Sequence, residues 1–505
     1  MNGESAVTDV LICGAGPAGL TLAIDLARRG IPFRLIEREE APFNGSRGKG
    51  IQPRSLEVFQ DLGIVDRVVA LGGPYPEQRE YRADGNYSDS PVIHDVRSSP
   101  AEPFPLPVMV PQFQTERAMR ERLAELGHWP EYGCELSGFE QDERGVTARI
   151  QRQGREENVR ARYLIAADGG RSFVRHALEI GFPGKTLGVR ALVADVVLTG
   201  LTRDVWHRFS EGDMGRQISF CPLAGTDLFQ IQAPIPPEGD VELSAGALSK
   251  MAFSRTGRQD IRVESVSWAS AFSMSARLAD RYRVGRVFLI GDAAHVHPPT
   301  GGQGLNTSVQ DAYNLSWKLA SVLSGAPETL LDSYEEERRP IAAAMLGLSS
   351  SLLEAHKRGE MRRGREVHQL DLAYPQSPLA LERPLRTAGL LAGDRAPDAP
   401  MRGSAGQPQR LFGLLKGPHW TLLGYHVDRD LVPARQGLHI HTIGHHDELI
   451  DDAGHFDAAY TLAPGDWVLV RPDGYVGAIV NSREIDALES YCTRVGLEPG
   501  SRTHG

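Results

Sequence analysis

Within the first 37 residues a strand, a glycine-rich turn, a helix, a second strand and an acid follow in register, and this succession restricts the fold more than any other part of the chain. Val10-Leu11-Ile12-Cys13 is an apolar run suited to a buried parallel strand. It leads at once into Gly14-Ala15-Gly16-Pro17-Ala18-Gly19, a G-x-G-x-x-G spacing. Pro17 fits a helix's first turn, Leu20, Ala23, Ile24 and Ala27 recur at helical spacing, and Gly30 can close the helix in a left-handed cap. Phe33-Arg34-Leu35-Ile36 reads as the second strand and ends in Glu37, with Arg38 beyond it. In such a unit the first glycine permits the turn, the second admits a pyrophosphate, and the third lets helix and strand pack closely, while the acid takes a ribose hydroxyl pair. Gly14, Gly16, Pro17, Ala18, Gly19, Glu37 and Arg38 are therefore expected to hold an adenine dinucleotide, with FAD and NAD both open at this point.

Two later segments bear on that choice. Val287-Phe288-Leu289-Ile290 is another buried strand, running into Gly291-Asp292-Ala293-Ala294-His295-Val296-His297-Pro298-Pro299-Thr300-Gly301-Gly302-Gln303-Gly304-Leu305-Asn306. Leu305, Val309, Ala312, Leu315 and Leu319 then mark the apolar face of a helix whose first amides the preceding glycines leave open to an anion. A reduced flavin is an anionic ring system that such a helix start would stabilise, and Asp292 could accept from a ribityl hydroxyl. Between these motifs, Tyr163-Leu164-Ile165-Ala166 is a strand followed by the turn Ala167-Asp168-Gly169-Gly170.

The segment Gly291 to Leu319, with Gln310-Asp311-Ala312 and Asn314-Leu315-Ser316-Trp317-Lys318-Leu319, resembles the signature of the flavin aromatic hydroxylases, the class with the para-hydroxybenzoate hydroxylase fold. Tyr163 to Arg175 resembles that family's D-G segment, which serves both FAD and NAD(P)H. Ser46-Arg47-Gly48, ahead of a helix from Arg54 to Asp61, resembles the family's arginine near the flavin ring, and Gln112 its glutamine near the FAD, upstream of Thr115-Glu116. A surface salt bridge is the alternative reading of Arg47.

The resemblance implies a tightly but non-covalently bound FAD contacted by Arg47, Gln112, Asp168, Gly169, Asp292, Pro299, Gly302, Gly304, Leu305 and Asn306. It also implies NADPH, or NADH, as co-substrate. No second G-x-G-x-x-G is present, so the nicotinamide cofactor has no dinucleotide fold of its own. By the same resemblance, dioxygen adds to the reduced flavin as a C4a-hydroperoxide, whose distal oxygen passes to an aromatic small molecule, phenolic or polyketide-derived. Arg47, Pro298 and Gly301 are the residues expected to position the reaction, and no side-chain acid or base is assigned. Baeyer–Villiger insertion, a flavin-dependent reductase and a catalytically silent FAD-binding protein are the alternatives.

The expected fold class is α/β. Residues 1–180 and 280–390 form a discontinuous Rossmann-like FAD-binding domain with a helical extension ending near Arg386. Residues 181–279 form an inserted, mostly antiparallel β-sheet substrate domain. Its strands read as Val189–Leu198, Arg216–Cys221 and Leu228–Ala233, with a turn at 224–227. Alternation puts Ile218 and Phe220 on one face, lining either the substrate cavity or a core, and with Pro298 they complete the substrate set. Gly393 to Pro397 opens a linker into a C-terminal domain over 395–505. That domain shows a strand Leu438–Ile443, a hairpin Trp467–Val480 around Pro472-Asp473-Gly474, and a closing helix marked by Ile485, Leu488, Cys492 and Val495. This order resembles the thioredoxin-like domain of the phenol and polyketide hydroxylase branch. It has no C-x-x-C and so no dithiol chemistry, which leaves packing or homodimer formation. Deletion beyond about residue 395 is expected to spare the FAD site.

Composition excludes other classes. With 505 residues the chain can bury several cores. It has no apolar run of about 20 residues and no charged-then-apolar leader, and is read as soluble and cytoplasmic. A formal charge of -10 argues against nucleic-acid binding, and the run Arg362 to Arg365 reads as a solvated helix face. Cys13, Cys134, Cys221 and Cys492 lack disulfide or zinc spacing. His439 with His441, His445-His446, and His295 with His297 raise a metal site, but no carboxylate or cysteine completes a compact ligand set, and none is assigned. No G-x-S-x-G elbow nominates a hydrolase nucleophile.

Overall fold

The computed structural model describes residues 6–82, 84–94, 98–210, 215–357, 364–444 and 447–498. The readings at Arg362, Arg363, His445 and His446 lie outside these residues. The first sheet is built on β1 (Ala6–Cys13), followed by α1 (Pro17–Arg28), β2 (Phe33–Glu37), β3 (Arg155–Ala166) and β4 (Val287–Leu289). β1 lies between β2 and β3 and is parallel to both, and β4 is parallel to β3 on the far side. Val10, Leu11 and Ile12 are fully buried because the sheet is covered on both faces, as an all-apolar parallel strand requires. The strands end on the same edge, so the turns after β1, β3 and β4 open onto one crevice. Two long helices follow, α2 (Gln303–Leu323) and α3 (Asp332–Lys357). α1 meets α2 through Asp25, whose carboxylate accepts from Ser316 Oγ and pairs with Arg28 and Arg29.

The second sheet has eight strands in the order His295–Val296, Arg262–Leu278, Gly184–Thr199, Phe229–Ile235, Ile218–Pro222, Val205–Phe209, Glu77–Tyr81 and Tyr87–Ser90. It therefore reaches beyond the expected limits of 181–279: Glu77–Tyr81 leaves the first segment of the chain to pair in parallel with Val205–Phe209. A helix over Ala245–Thr256, capped by Ser244, covers one face. Leu248 and Ala252 pack there with Leu192, Ile218, Phe220 and Ile231. Ile218 and Phe220 thus belong to a fully buried core rather than to a cavity, and the alternate positions Gln217 and Ser219 face the other side.

The third sheet corrects the expected C-terminal boundary. It begins with Leu381–Arg383, which pairs in parallel with Val476–Asn481 well before residue 395, so the helical extension does not continue to Arg386. Leu438–Ile443 is a central strand, parallel to Trp420–Tyr425, which is antiparallel to Asp466–Val470. Gly393 to Pro397 is not a free linker. Gly393 N donates to Val476 O at 2.7 Å, Ala396 N to Gly474 O at 2.9 Å, and Arg395 Nη1 to Glu57 Oε1 at 3.0 Å. The turn after Asp466–Val470 inserts Arg471 and Asp473 against α2 and α3, where both are buried with Lys318 and Glu337. This packing bears against the expectation that deletion beyond about residue 395 spares the FAD site, because α2, which starts at the crevice, would lose its buried partners Arg471 and Asp473. No described helix is long and apolar enough to cross a membrane.

Candidate active site

Gly14 has φ +106°, and a Cβ there would lie 2.2 Å from Ala167 O, so glycine is what lets the ends of β1 and β3 touch. A Cβ on Gly19 would meet Gly14 O at 1.9 Å. Gly16 has nothing within 4 Å of its Cβ position and faces the crevice. α1 starts at Gly16 and α2 at Gly302, and neither start has a side-chain cap, so their first-turn amides remain available to an anion. Glu37 Oε2 accepts from Ala15 N at 2.8 Å, which fixes the carboxylate at the crevice edge. Asp168 Oδ2 accepts from Val174 N at 3.2 Å, while Oδ1 is buried without a hydrogen-bond partner. A glycine cradle, two uncapped helix starts and an orphaned carboxylate oxygen fit an FAD laid across this edge.

The later turns are tied to one another. Arg175 donates to Ala293 O at 2.9 Å and to Gly170 O at 3.0 Å, joining the turn after β3 to the turn after β4. Asp311 Oδ2 accepts from His295 Nε2 at 2.6 Å and Oδ1 from Arg338 Nε at 2.8 Å. His297 Nε2 lies 3.0 Å from His295 Nδ1. Burial, then the neighbouring His295, push His297 down to about 3, so it stays neutral. His295 and His297 are thus occupied in fixing the loop. Asp292 is exposed into the crevice yet hemmed by protein, which raises its carboxyl, with His295 and Arg47 opposing.

Arg47 is also exposed, its guanidinium 5.3 Å from the Phe43 ring centroid and 5.9 Å from that of Trp268. The loop carrying it is clamped to the second sheet. Ser46 N donates to Asp195 Oδ2 at 2.7 Å, Ser46 Oγ donates to the same carboxylate, and Gln230 Nε2 lies 2.6 Å from Ser46 Oγ. Gln112 Oε1 accepts from Gly48 N at 3.1 Å, and its Nε2 donates to Glu116 at 2.8 Å. Burial pushes the Glu116 carboxyl up to about 7, partly offset by the Gln112 hydrogen bond.

Beside the loop lies a cavity of about 460 Å³. Pro299 and Thr300 form part of its wall, with Leu353 of α3 and the uncovered face of the second sheet forming the rest. Thr300 Oγ1 donates to Ser349 O at 2.6 Å, and Gly301 adopts φ +80° against Leu352. The cavity and the crevice therefore share one short loop.

Residues 7–349 match the model of the family described as FAD binding domain. The chain is 40% identical over 479 residues to a flavin-dependent monooxygenase of Mycobacteroides abscessus, covering 94% of this chain and 97% of that one. The chain belongs to this family of flavin-dependent monooxygenases. It is also 34% identical over 524 residues to the 6-methylpretetramide 4-monooxygenase of Streptomyces rimosus, covering 94% and 91% of the two chains. Among solved structures, the flavin-dependent monooxygenase PieE in complex with FAD and substrate superposes with a TM-score of 0.84 at 25% identity, over 98% of this chain and 99% of that one.

In this monooxygenase Gly14, Gly16, Pro17, Ala18, Gly19, Glu37, Asp168, Gly169 and Asp292 gather along the crevice, and Gly48, Gln112 and Leu305 converge at one side. Three expected contacts fall elsewhere. Arg38 points to solvent and pairs with Glu39. Pro298 is buried, and Pro299 and Thr300 take its place on the cavity wall. Asn306 is fully buried and spends its amide on the chain: Oδ1 accepts from Gln52 N at 2.9 Å, and Nδ2 donates to Gly50 O at 3.0 Å and Gly302 O at 2.7 Å. Asp195, Gln230 and Arg338 were not singled out from the sequence, since a polar residue within an apolar strand or helix carries no mark of its partner. Among the described residues no three His, Cys, Asp or Glu side chains are placed to hold a metal ion.

Proposed function

We propose that this monooxygenase binds FAD in the crevice and uses NAD(P)H and dioxygen to hydroxylate a multi-ring phenolic substrate in the cavity. The observation that carries the reading is the sharing of Pro299 and Thr300 between the cavity wall and the loop that starts α2. A cavity of about 460 Å³ suits a ligand of several fused rings, since pockets for drug-sized molecules run roughly 300–1,000 Å³. Relatives include an anhydrotetracycline monooxygenase as well as a pentachlorophenol 4-monooxygenase, and aklavinone-11 hydroxylase was solved with FAD and aklavinone.

Bound here, FAD would supply the redox chemistry, taking hydride from NAD(P)H and activating dioxygen for transfer to the ring. The chain supplies the rest. The first amides of α1 and Gly16 take the pyrophosphate, Glu37 the adenosine ribose, and Asp168 and Asp292 the polar chain between the two ring systems. With FAD bound, the α2 amides would stabilise negative charge on its ring system, and Arg47 would add a positive charge at the same site. The wall of Pro299, Thr300 and Leu353 excludes water, which protects the activated oxygen from loss. We read the C-terminal sheet as a thioredoxin-like unit without a C-x-x-C, whose turn at Arg471 and Asp473 braces α2 and α3. Oxygen and NADPH consumption by the FAD-loaded enzyme, measured across simple phenols and polycyclic hydroxyquinones with mass spectrometry of products, tests the reading. A product gaining one oxygen supports it, and no oxygen use with any ligand refutes it.

A further inference from the structure

The strand Phe229–Ile235 divides its side chains between the two faces of the second sheet. Phe229, Ile231 and Ala233 enter the core under the helix over Ala245–Thr256, and Gln230 and Gln232 take the uncovered face. Gln232 lines the cavity. Gln230, two residues earlier, is fully buried beneath the loop that carries Arg47.

Both ends of the Gln230 amide are fixed by groups of a single character. Lys49 Nζ, which can only donate, meets Oε1 at 2.7 Å, and the carbonyl oxygen of Ser46, which can only accept, takes a hydrogen from Nε2. Nε2 also donates to Ser46 Oγ at 2.6 Å, and that hydroxyl gives its own hydrogen to Asp195, which lies opposite Gln230 in the cross-strand register. The same polarity reaches the cavity wall. Gln232 Nε2 donates to Gln230 Oε1 at 2.6 Å, whereas the inverted amide would set two carbonyl oxygens at that distance with no hydrogen between them. One amide hydrogen of Gln232 is therefore spent inward, and among the described residues nothing donates to its Oε1. Ser219 stands directly opposite Gln232 on the next strand and lines the cavity too. Among the described residues its Oγ has no hydrogen-bond partner either.

We infer that Gln232 is a specificity residue that holds an un-ionised hydroxyl of the substrate, whose hydrogen goes to Oε1 while Ser219 completes its hydrogen bonds. The inference rests on the monooxygenase reading, which makes the cavity the substrate site. Gln230 acts as a positioning residue, because its fixed amide decides which atom of Gln232 the substrate meets. An ether or a quinone carbonyl at this place could use the second amide hydrogen of Gln232 but would leave Oε1 unpaired, and a phenolate would set negative charge against it. One strand, Gly184–Thr199, separates Gln232 from the strand of Phe272 and Met274, so the two walls lie roughly 10 Å apart. The hydroxyl therefore sits on a ring apart from the one that rests on those apolar side chains.

The test uses the full chain loaded with FAD. Mono- and dihydroxyanthraquinones and their methyl ethers are titrated in, with binding read from the change in flavin absorbance, which needs no turnover, and oxygen uptake measured separately. The best hydroxyl ligand is expected to bind about three- to tenfold more tightly than its own ether, the range of one neutral hydrogen bond. That preference is expected to disappear as pH is raised and the ligand's hydroxyl ionises. Gln232→Met is expected to lower the hydroxyl ligand to the level of its ether and to leave the ether unchanged. Equal binding of hydroxyl and ether by wild type would overturn the inference, as would tighter binding of the ionised ligand. Equal weakening of both ligands in Gln232→Met, the mark of a structural role, would overturn it too, and so would the failure of every hydroxyl ligand to bind. Should Gln232→Met fail to fold, the wild-type comparison and its pH dependence decide alone. A hydroxyl preference that Gln232→Met removes, without oxygen uptake on any ligand, would refute the monooxygenase reading while leaving the hydroxyl site standing.

Discussion

Replacing Arg471 by methionine would expose how far the flavin site depends on the C-terminal sheet. Glu337 accepts from Lys318 Nζ at 2.7 Å, Asn314 Nδ2 at 2.7 Å, Ser377 Oγ at 2.6 Å, and the two Arg471 Nη atoms at 2.7 and 2.9 Å. Asp473 accepts from Trp317 Nε1 at 3.0 Å, Asn314 Nδ2 at 3.2 Å and Arg471 Nε at 3.0 Å. Lys318, Glu337, Arg471 and Asp473 are at most 1% exposed and sum to zero charge. Arg471→Met leaves two buried carboxylates to one lysine. Breaking a buried pair in this way costs about 3–5 kcal/mol. Because Asn314, Trp317 and Lys318 belong to α2, the loss is expected to reach the helix start at the flavin. Urea unfolding followed by flavin release and by tryptophan emission reads both effects. The double variant Arg471→Met/Asp473→Asn, in which lysine again balances one carboxylate, is expected to recover part of the loss. A cost under about 1 kcal/mol for Arg471→Met, against the 3–5 expected of a buried pair, would refute the reasoning. So would a double variant less stable than the single one.

Other outcomes follow from the crevice. Gly16→Val is expected to leave FAD-free stability near wild type but to prevent flavin binding. Gly14→Ala, whose Cβ would meet Ala167 O at 2.2 Å, is expected to destabilise the fold itself; thermal melts with and without FAD separate the two. Asp292→Ala is expected to purify with little flavin, and full flavin content would count against its assigned contact. Glu116 holds its proton more tightly folded than unfolded, so its burial costs stability as pH rises from about 4.5 to about 7. Glu116→Gln is expected to remove that decline, about 3 kcal/mol, in denaturation measured at pH 5 and pH 8 without FAD. An unchanged slope would show that Glu116 ionises freely.

The dinucleotide unit was legible because its chemistry is local. Gly19 answers to Gly14 and Gly14 to Ala167 across one strand, Gly16 leaves the crevice open, and Glu37 returns to Ala15. The face of the second sheet was not legible. Alternation pairs Ile218 with Phe220 and Gln217 with Ser219, but which pair meets the cavity depends on where the helix over Ala245–Thr256 settles, some 30 residues away. Glu77–Tyr81 reads as polar, since one side of it faces partners that only the folded chain supplies. Asn306 lies in a segment that resembles a flavin site, and nothing nearby in sequence reveals that its amide is taken up by Gly50 and Gln52. The buried quartet of Lys318, Glu337, Arg471 and Asp473 was invisible for the same reason, its members being drawn from two helices and a distant turn.

Under the proposed function, oxygen reaches an aromatic ring in the cavity beside the Pro299–Thr300 loop. The most direct test is a single-turnover reaction of the FAD-loaded, NADPH-reduced enzyme with isotopically labelled dioxygen and a polycyclic hydroxyquinone that binds it. One labelled oxygen is expected in the product, and its loss is expected when Thr300 is replaced by a side chain bulky enough to fill the wall, with FAD retained. Unlabelled product, or labelled product undiminished by that substitution, would contradict it.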